Sequence, residues 1–161
     1  MPPVSRRFLI ASAAACGLGG AGPAPTGALA VYKSPTCACC EGWISHMRQA
    51  GFTVAVHVTS DVRAFRLGRG MPDALGSCHT GMIDGYLVEG HVPAADVIRL
   101  LAERPEALGL TAPGMPLGSP GMETPDGRRQ PFDTLLVLRS GQTRVFGRHG
   151  RDGPTIERLL E

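Results

Sequence analysis

Three cysteines occupy four consecutive positions in the stretch SPTCACCEGW, at Cys37, Cys39 and Cys40. Cys37 and Cys40 have the C-x-x-C spacing of dithiol oxidoreductases. The adjacent residues Cys39 and Cys40 cannot form an unstrained disulfide, because neighbouring Cα atoms are only about 3.8 Å apart. At most one comfortable disulfide therefore fits inside the cluster, and one thiol is left over.

The third thiol favours metal binding over disulfide exchange. Exchange needs one nucleophilic and one resolving thiol, and an extra neighbour permits unwanted disulfides and overoxidation. A soft metal such as Cu(I) gains from each added thiolate, and thiolates can bridge several Cu(I) ions; zinc is the less favoured metal. Dithiol exchange through Cys37 and Cys40 and a local structural disulfide remain as alternatives.

A second group of soft donors follows at Cys78 and His79, in the segment GSCHT. A thiolate and an imidazole both suit copper, so this pair is predicted to add ligands; the alternative is a small buried residue beside a loop histidine. Met115 and Met122 lie in a segment without an apolar face. Their thioethers are predicted either to bind copper or to anchor the loop on the core.

The remaining histidines and methionines are assigned other roles. His46 is predicted to be solvated, His57 to be an exposed strand residue between inward valines, and His91 to be a cap or loop residue rather than a ligand. Apolar spacing predicts three core methionines, at Met47, Met71 and Met82. The sequence contains no serine hydrolase elbow, phosphate-binding loop or paired acid motif.

The clustered cysteines lie where a predicted strand turns into a predicted helix. Residues 28–33 form an apolar strand, and residues 34–36 break it and supply capping side chains. Helical spacing of apolar residues then extends over residues 39–50, with a stop at Gly51. A helix N-terminus stabilises thiolates, which suits both metal binding and disulfide exchange.

The order of the predicted elements is β-α-β-α-β-β-α, an α/β fold of the thioredoxin-like type. The third and fourth strands are joined by the hairpin dipeptide Asp84-Gly85. In this layout the turn carrying Cys78 faces the helix cysteines. The elements after the first helix are predicted over residues 52–58, 62–67, 81–83, 86–89 and 93–104.

From Gly109 the chain is rich in Gly and Pro and is predicted to be a loop. A C-terminal β-hairpin over residues 134–148, turning at Ser140-Gly141, and a short final helix in TIERLL complete the extension. The predicted domains are an export signal, a thioredoxin-like metal-binding domain and this extension packed on it, over residues 1–30, 31–108 and 109–161.

The N-terminal segment has the pattern of an export signal. Arg6-Arg7 precede an apolar run, which predicts the twin-arginine route, a periplasmic location and cleavage after Ala30 or Ala21. The run is too short and too rich in Gly and Ala for a permanent membrane span. Lipid anchoring through Cys16 is a less favoured alternative, because the leucine expected three residues earlier is absent.

Length and charge limit the partners. A chain of 161 residues is long enough for one domain with its own core. Its 16 basic and 14 acidic residues differ by two, which is the contribution of the leader arginines Arg6 and Arg7. A nearly neutral mature chain argues against nucleic acid and anionic membranes as partners, and we expect a monomer.

Four blocks, in the order VYKSPTCACCEGW, SCHT, DGYLVEGHVPAADVIRLL and PGMPLGSPGME, resemble the CopG-like family of exported bacterial copper-resistance proteins over about residues 31–146. The resemblance implies a thioredoxin-like fold with a C-terminal extension and a copper site. The sequence departs from the family pattern at Ala38, where glycine is usual. The ligands that it implies are Cys37, Cys39, Cys40, Cys78 and His79, with contributions from Met115 and Met122.

The resulting hypothesis is an exported protein that binds Cu(I), in one or several copies, for copper resistance, with Cu(I)/Cu(II) interconversion as an addition. Its expected partners are copper ions and a copper efflux or chaperone protein. The first alternative is a periplasmic thiol-disulfide oxidoreductase with Cys37 and Cys40 as catalytic residues. The second is a structural module stabilised by zinc.

Overall fold

A computed structural model describes residues 27–150 of the chain. The twin arginine, Cys16, the cleavage position at Ala21 and the final helix in TIERLL lie outside the described residues.

The described chain has a mixed α/β fold built on a single seven-stranded sheet, which confirms the α/β class. The strand order is β2-β1-β3-β4-β5-β6-β7, with parallel pairing between β1 and β2 and between β4 and β5. The strands are β1 (Ala28–Lys33), β2 (Thr53–Val58), β3 (His79–Ile83), β4 (Tyr86–Gly90), β5 (Gly109–Ala112), β6 (Phe132–Val137) and β7 (Thr143–His149). The helices are α1 (Ala38–Gln49), α2 (Val62–Leu67) and α3 (Ala94–Glu103), and a 3-10 turn spans Asp73–Leu75.

Helices α1 and α3 cover one face of the sheet. Every second residue of a strand points to this face, so the apolar residues of the central strands meet the apolar faces of both helices. The fully buried members of this core include Leu29, Val31, Trp43, Ile44, Met47, Val88, Val97, Leu100 and Leu110. This packing fixes α1, and with it the turn that carries the three clustered cysteines.

Helix α2 lies against the opposite face. Tyr32 of β1 stacks on Phe65 of α2, with ring centroids 3.6 Å apart. A second, smaller apolar cluster contains Met71, Leu87 and Val137. Because neighbouring strand residues point to opposite faces, His79 and Thr80 of β3 lie on different sides of the sheet.

Strands β3 and β4 form the predicted hairpin. Asp84 and Gly85 both have positive φ, at 48° and 84°, as a type I′ hairpin turn requires. The turn pairs Ile83 with Tyr86 and Thr80 with Glu89.

Strand β5 corrects the prediction of a loop from Gly109 onward. All four of its residues are buried and pair with β4, and the first three also pair with β6 on the other side. Four residues are too few to show a period, and Gly109 and Pro113 at its ends have the composition of a loop. The strands that follow β5 therefore continue the same sheet.

Two local predictions are also wrong. Helix α1 begins after Cys37, which makes no side-chain capping bond, so residues 34–36 do not cap it. Strand β2 is an edge strand whose valines Val56 and Val58 are exposed rather than inward-facing. The predicted cap of α2 is confirmed, since the Asp61 carboxylate accepts a hydrogen bond from the Ala64 N–H.

Residues 113–131, here called the strap, connect β5 to β6. Between residues 27 and 150, each helix falls short of the length and apolar character that crossing a bilayer would demand.

Candidate metal centre

The start of α1 supplies three sulfur atoms. Cys37 and Cys40 form a disulfide, and Cys39 is a free thiol. The Sγ atoms of Cys37 and Cys39 lie 3.6 Å apart. The structure therefore contains the single disulfide that the spacing allows, between the two cysteines of the C-x-x-C pair.

Cys78 completes a group of four sulfurs. Its Sγ lies 3.8 Å from that of Cys39 and 3.7 Å from that of Cys40. All four sulfur atoms, including that of Cys37, lie within 4.8 Å of one another. The turn before β3 thus faces the start of α1, as predicted.

Two buried histidines extend the group on the side of the β3-β4 hairpin. Cys78 Sγ lies 3.4 Å from His79 Nδ1 and 3.4 Å from His91 Nε2. Both imidazole side chains are fully buried. The sequence predicts His79 at this position and interprets His91 as a cap or loop residue, whereas in the structure the hairpin brings His91 to Cys78.

The register of the β3-β4 hairpin is a sequence signal that places His91 near Cys78. The Asp84-Gly85 turn pairs residues whose numbers add up to 169, as in Thr80 and Glu89. Extending that register by two residues places His91 opposite Cys78. The prediction of the hairpin was therefore sufficient to find this histidine.

Hydrogen bonds and packing orient the two imidazoles. His91 Nδ1 lies 2.8 Å from the carbonyl oxygen of Pro120 and donates to it, which leaves the Nε2 lone pair directed at Cys78. His79 packs on Trp43, with ring centroids 4.4 Å apart. Its Nε2 is buried and has no hydrogen-bond partner among the described residues.

Burial controls protonation in this group. Burial, followed by the nearby His91, lowers the pKa of His79 to about 3, and burial also lowers the pKa of His91. Burial, followed by the nearby Cys39, raises the pKa of the Cys78 thiol to about 11. At neutral pH the imidazoles are therefore neutral donors, and a metal ion that binds Cys78 must displace its proton.

The donor set fits a soft metal ion. Thiolates and neutral imidazole nitrogens are the ligands that Cu(I) and Zn(II) share, and the nitrogens that face the Cys78 sulfur are His79 Nδ1 and His91 Nε2. The spacing of 3.4 to 3.8 Å around Cys78 lets several of these atoms approach one ion together.

The strap closes against α1 beside the cluster. A Cβ on Gly121 would lie 2.5 Å from the backbone nitrogen of Trp43 and 2.8 Å from the carbonyl oxygen of Cys39. A Cβ on Gly42 would lie only 2.7 Å from the Gly121 Cα. Two glycines thus permit the backbone contact that holds the strap, and with it the Pro120 carbonyl, over the site.

The two strap methionines differ in exposure. Met122 follows Gly121 and is half-buried, whereas Met115 is 43% exposed and has a φ of 47°. Their roles as ligands stay predictions.

The other assigned residues have mixed outcomes. His46 is half-buried rather than solvated, and its Nε2 accepts a hydrogen bond from the Ala94 N–H at 3.0 Å. His57 is exposed, as predicted, and stacks on Tyr32. Met47 and Met71 are buried, as predicted, and Met82 is partly buried against the second apolar cluster.

These features define a class: α/β proteins in which a thiol-rich group of soft donors lies between a helix start and a hairpin. The family described as "Protein of unknown function, DUF411" matches residues 75–122, which include Cys78, His79 and His91. No curated protein sequence matches the chain.

Two solved structures are similar over most of the described chain. "Copper resistance protein copG- Form 2" is 45% identical, with a TM-score of 0.73, over 77% of this chain and 98% of that one. "Copper resistance protein copG- Form 1" is 46% identical, with a TM-score of 0.71, over 76% of this chain and 96% of that one. The chain therefore belongs to the CopG-like family of copper resistance proteins.

Proposed function

We propose that this protein is exported to the periplasm and binds Cu(I) there for copper resistance. The observation that carries the proposal is the group of four sulfurs, from Cys37, Cys39, Cys40 and Cys78, within 4.8 Å of one another. Once the Cys37–Cys40 disulfide is reduced, the group holds four thiols, whose thiolates bind Cu(I) strongly and can bridge neighbouring ions, so the reduced group suits more than one copper ion. Zinc is the less favoured cargo.

Two imidazoles and the strap complete the proposed ligand set. His79 and His91 contribute neutral nitrogens from the hairpin side, where both lie 3.4 Å from Cys78 Sγ. Met115 and Met122 are proposed to contribute thioethers, and for Met122 the proposal is supported by the contact of the neighbouring Gly121 with α1.

A redox step is proposed as a second part of the function. Two Cu(II) ions accept one electron each from the Cys37 and Cys40 thiolates, the S–S bond forms, and two Cu(I) ions result. Reopening the disulfide takes two electrons and two protons from a dithiol reductant. The step is supported by the closed Cys37–Cys40 disulfide, with the thiols of Cys39 and Cys78 beside it.

The fold, partner and processing proposals are separate. We assign the first four strands and three helices to the thioredoxin-like type, supported by the β2-β1-β3-β4 order.

We propose that the protein is a monomer and that its partner is a copper efflux or chaperone protein. Cleavage after Ala21 is favoured over cleavage after Ala30, because the latter would remove the fully buried Leu29 and half of β1.

A thiol-disulfide oxidoreductase is the second candidate function. It is favoured by the Cys37–Cys40 disulfide at the start of α1, the arrangement used for dithiol exchange. In that case Cys37 and Cys40 are the catalytic residues and Cys39 is dispensable.

Anaerobic titration of the fully reduced mature protein with Cu(I) and with Zn(II) tests these functions. We expect tight Cu(I) binding that weakens in Cys39→Ser, with circular dichroism showing that the metal-free protein is folded. Tight copper binding with an unchanged affinity in Cys39→Ser would contradict the four-sulfur site. Negligible copper binding, together with disulfide reduction that does not need Cys39, would support the oxidoreductase, and an unfolded metal-free form would support a structural zinc module.

A further inference from the structure

A buried ion pair lies beneath the turn that carries Cys78, on the opposite face of the sheet from His79. It joins Arg66 of α2 to Glu89 of β4, with Arg66 Nη1 3.0 Å from Glu89 Oε1. The Glu89 residue is 0% exposed and Arg66 is 9% exposed. Neither residue belongs to the donor group described above.

The Glu89 carboxylate binds the backbone and side chain on both sides of Cys78-His79. Its Oε1 accepts a hydrogen bond from the Ser77 N–H at 2.7 Å, and its Oε2 accepts one from the Thr80 hydroxyl at 2.7 Å. Arg66 donates a further hydrogen bond to the Ser77 carbonyl oxygen at 2.6 Å. Both ends of the four-residue segment that carries the thiol and the imidazole are therefore tied to one ion pair.

Two glycines allow the segment to close around this pair. A Cβ on Gly76 would lie 2.4 Å from Arg66 Nε, and a Cβ on Gly90 would lie 2.7 Å from Ser77 Oγ. Larger residues at either position would push the turn away from the ion pair. The backbone before Cys78 thus follows the shape of the Arg66 side chain.

We propose that Glu89 and Arg66 are positioning residues that hold Cys78 against Cys39 and Cys40. The functional part of this inference rests on the proposed copper site. A buried ion pair loses hydration and is often no more stabilising than apolar residues of similar volume, so stability alone does not account for it. Charge-assisted hydrogen bonds to fixed backbone groups do account for it, because they restrict the turn to one geometry.

Thiol alkylation in the metal-free protein tests the positioning. With the Cys37–Cys40 disulfide closed, Cys39 and Cys78 are the free thiols of the described chain, and mass spectrometry of their peptides gives both alkylation rates in one sample. We expect Glu89→Gln to raise the rate at Cys78 relative to Cys39 by about tenfold, the size of effect expected from weakening a hydrogen bond to a charged group. General destabilisation would expose both thiols together.

A matched control is available at an exposed ion pair between the same helix and the 3-10 turn. Asp73 is an exposed carboxylate that accepts two hydrogen bonds from Arg63 of α2, at 2.8 and 2.7 Å. Asp73→Asn removes the same charge from an ion pair outside the site, and its alkylation ratio should equal that of the wild type. An unchanged ratio in folded Glu89→Gln, or an equal rise in both variants, would overturn the proposal.

A second variant covers the case in which Glu89→Gln does not fold. Thr80→Val removes one hydrogen bond to Glu89 with little change in shape, and should raise the ratio in the same direction by a smaller factor. An unchanged ratio in folded Thr80→Val would overturn the proposal. Cu(I) titration of the wild type remains an independent test: if it binds no copper, the proposed function fails while the alkylation ratio still decides the positioning.

Discussion

The two sides of the donor group are built differently. On the helix side, Cys37 and Cys39 are half-exposed, and Cys37 is bonded to the buried Cys40 in a disulfide. On the hairpin side, His79 and His91 are fully buried around Cys78. The hairpin side is also held by fixed contacts, to the Arg66–Glu89 pair on one face of the sheet and to Trp43 and the strap on the other.

The helix side can change the number of thiols that it contributes, whereas the hairpin side cannot. Opening the Cys37–Cys40 disulfide raises the number of thiols in the group from two to four, while the hairpin donors stay the same. In the proposed copper site, redox chemistry on the helix side alone would change the number of thiolates that are offered to a soft metal.

The largest expected effect comes from removing the sulfur that both sides share. Cys78 lies 3.4 to 3.8 Å from two sulfur and two imidazole donors, so Cys78→Ser should weaken Cu(I) binding more than Cys39→Ser does. We expect a loss of at least about 100-fold, since second-sphere changes alone cost 10- to 100-fold. Anaerobic competition with a Cu(I) chelator measures both variants. Equal losses would contradict the central place of Cys78.

The second prediction tests the hairpin side alone. His91→Gln should weaken Cu(I) binding by about tenfold, less than the loss of a thiolate, because a neutral nitrogen is the weaker Cu(I) donor. His46→Gln is the control, because His46 is a half-buried histidine whose Nε2 accepts a hydrogen bond from the Ala94 N–H and does not face a cysteine. If both variants bind copper like the wild type, His91 is not a ligand.

The positions of the helix-side cysteines could be predicted because they follow from local signals, whereas their roles as ligands stay predictions. The C-x-x-C spacing and the strand-to-helix turn follow from residues that are close in the chain, and Cys78 follows from the position of its turn. His91 was missed because its proximity to Cys78 depends on hairpin register, which was predicted but not extended beyond the strands. The supporting residues Arg66 and Glu89 carry no motif, since their meeting depends on α2 packing across the sheet.

The same reasoning explains the errors in the fold. The predicted hairpin of β3 and β4 was correct because Asp84-Gly85 determines it locally. Strand β5 was missed because its four residues become a strand only between β4 and β6. The path of the strap depends on a backbone contact between Gly42 and Gly121, which composition does not reveal.

The third effect is a pH dependence that originates on the hairpin side. The pKa of His79 is lowered from 6.5 to about 3, so between these values the unfolded chain binds a proton that the folded protein does not. The free energy of unfolding of the metal-free protein should therefore fall as the pH decreases, by up to about 1.4 kcal/mol per pH unit from this group.

Urea denaturation at pH 7, 6 and 5 measures this slope. His79→Gln should show a shallower fall in stability with decreasing pH than the wild type does. His57→Gln, at an exposed histidine, should keep the wild-type slope. A wild-type slope in His79→Gln would mean that this imidazole is not buried in its neutral form.

The smallest effect concerns how the strap joins the two sides. Gly42 of α1 touches Gly121, and the strap in turn supplies the Pro120 carbonyl to His91, so Gly42→Ala should disturb the hairpin side from the helix side. The clash with backbone costs about 1 to 3 kcal/mol and the better helix propensity of alanine returns about 1 kcal/mol, which leaves a net destabilisation of about 1 kcal/mol. Ser45→Ala, one turn further along α1 at an exposed position, gains propensity without the clash and should be neutral or slightly stabilising. If chemical denaturation shows that Gly42→Ala is as stable as Ser45→Ala, the position of the strap does not depend on this contact. The helix side and the hairpin side are then joined through Cys78 rather than through the strap.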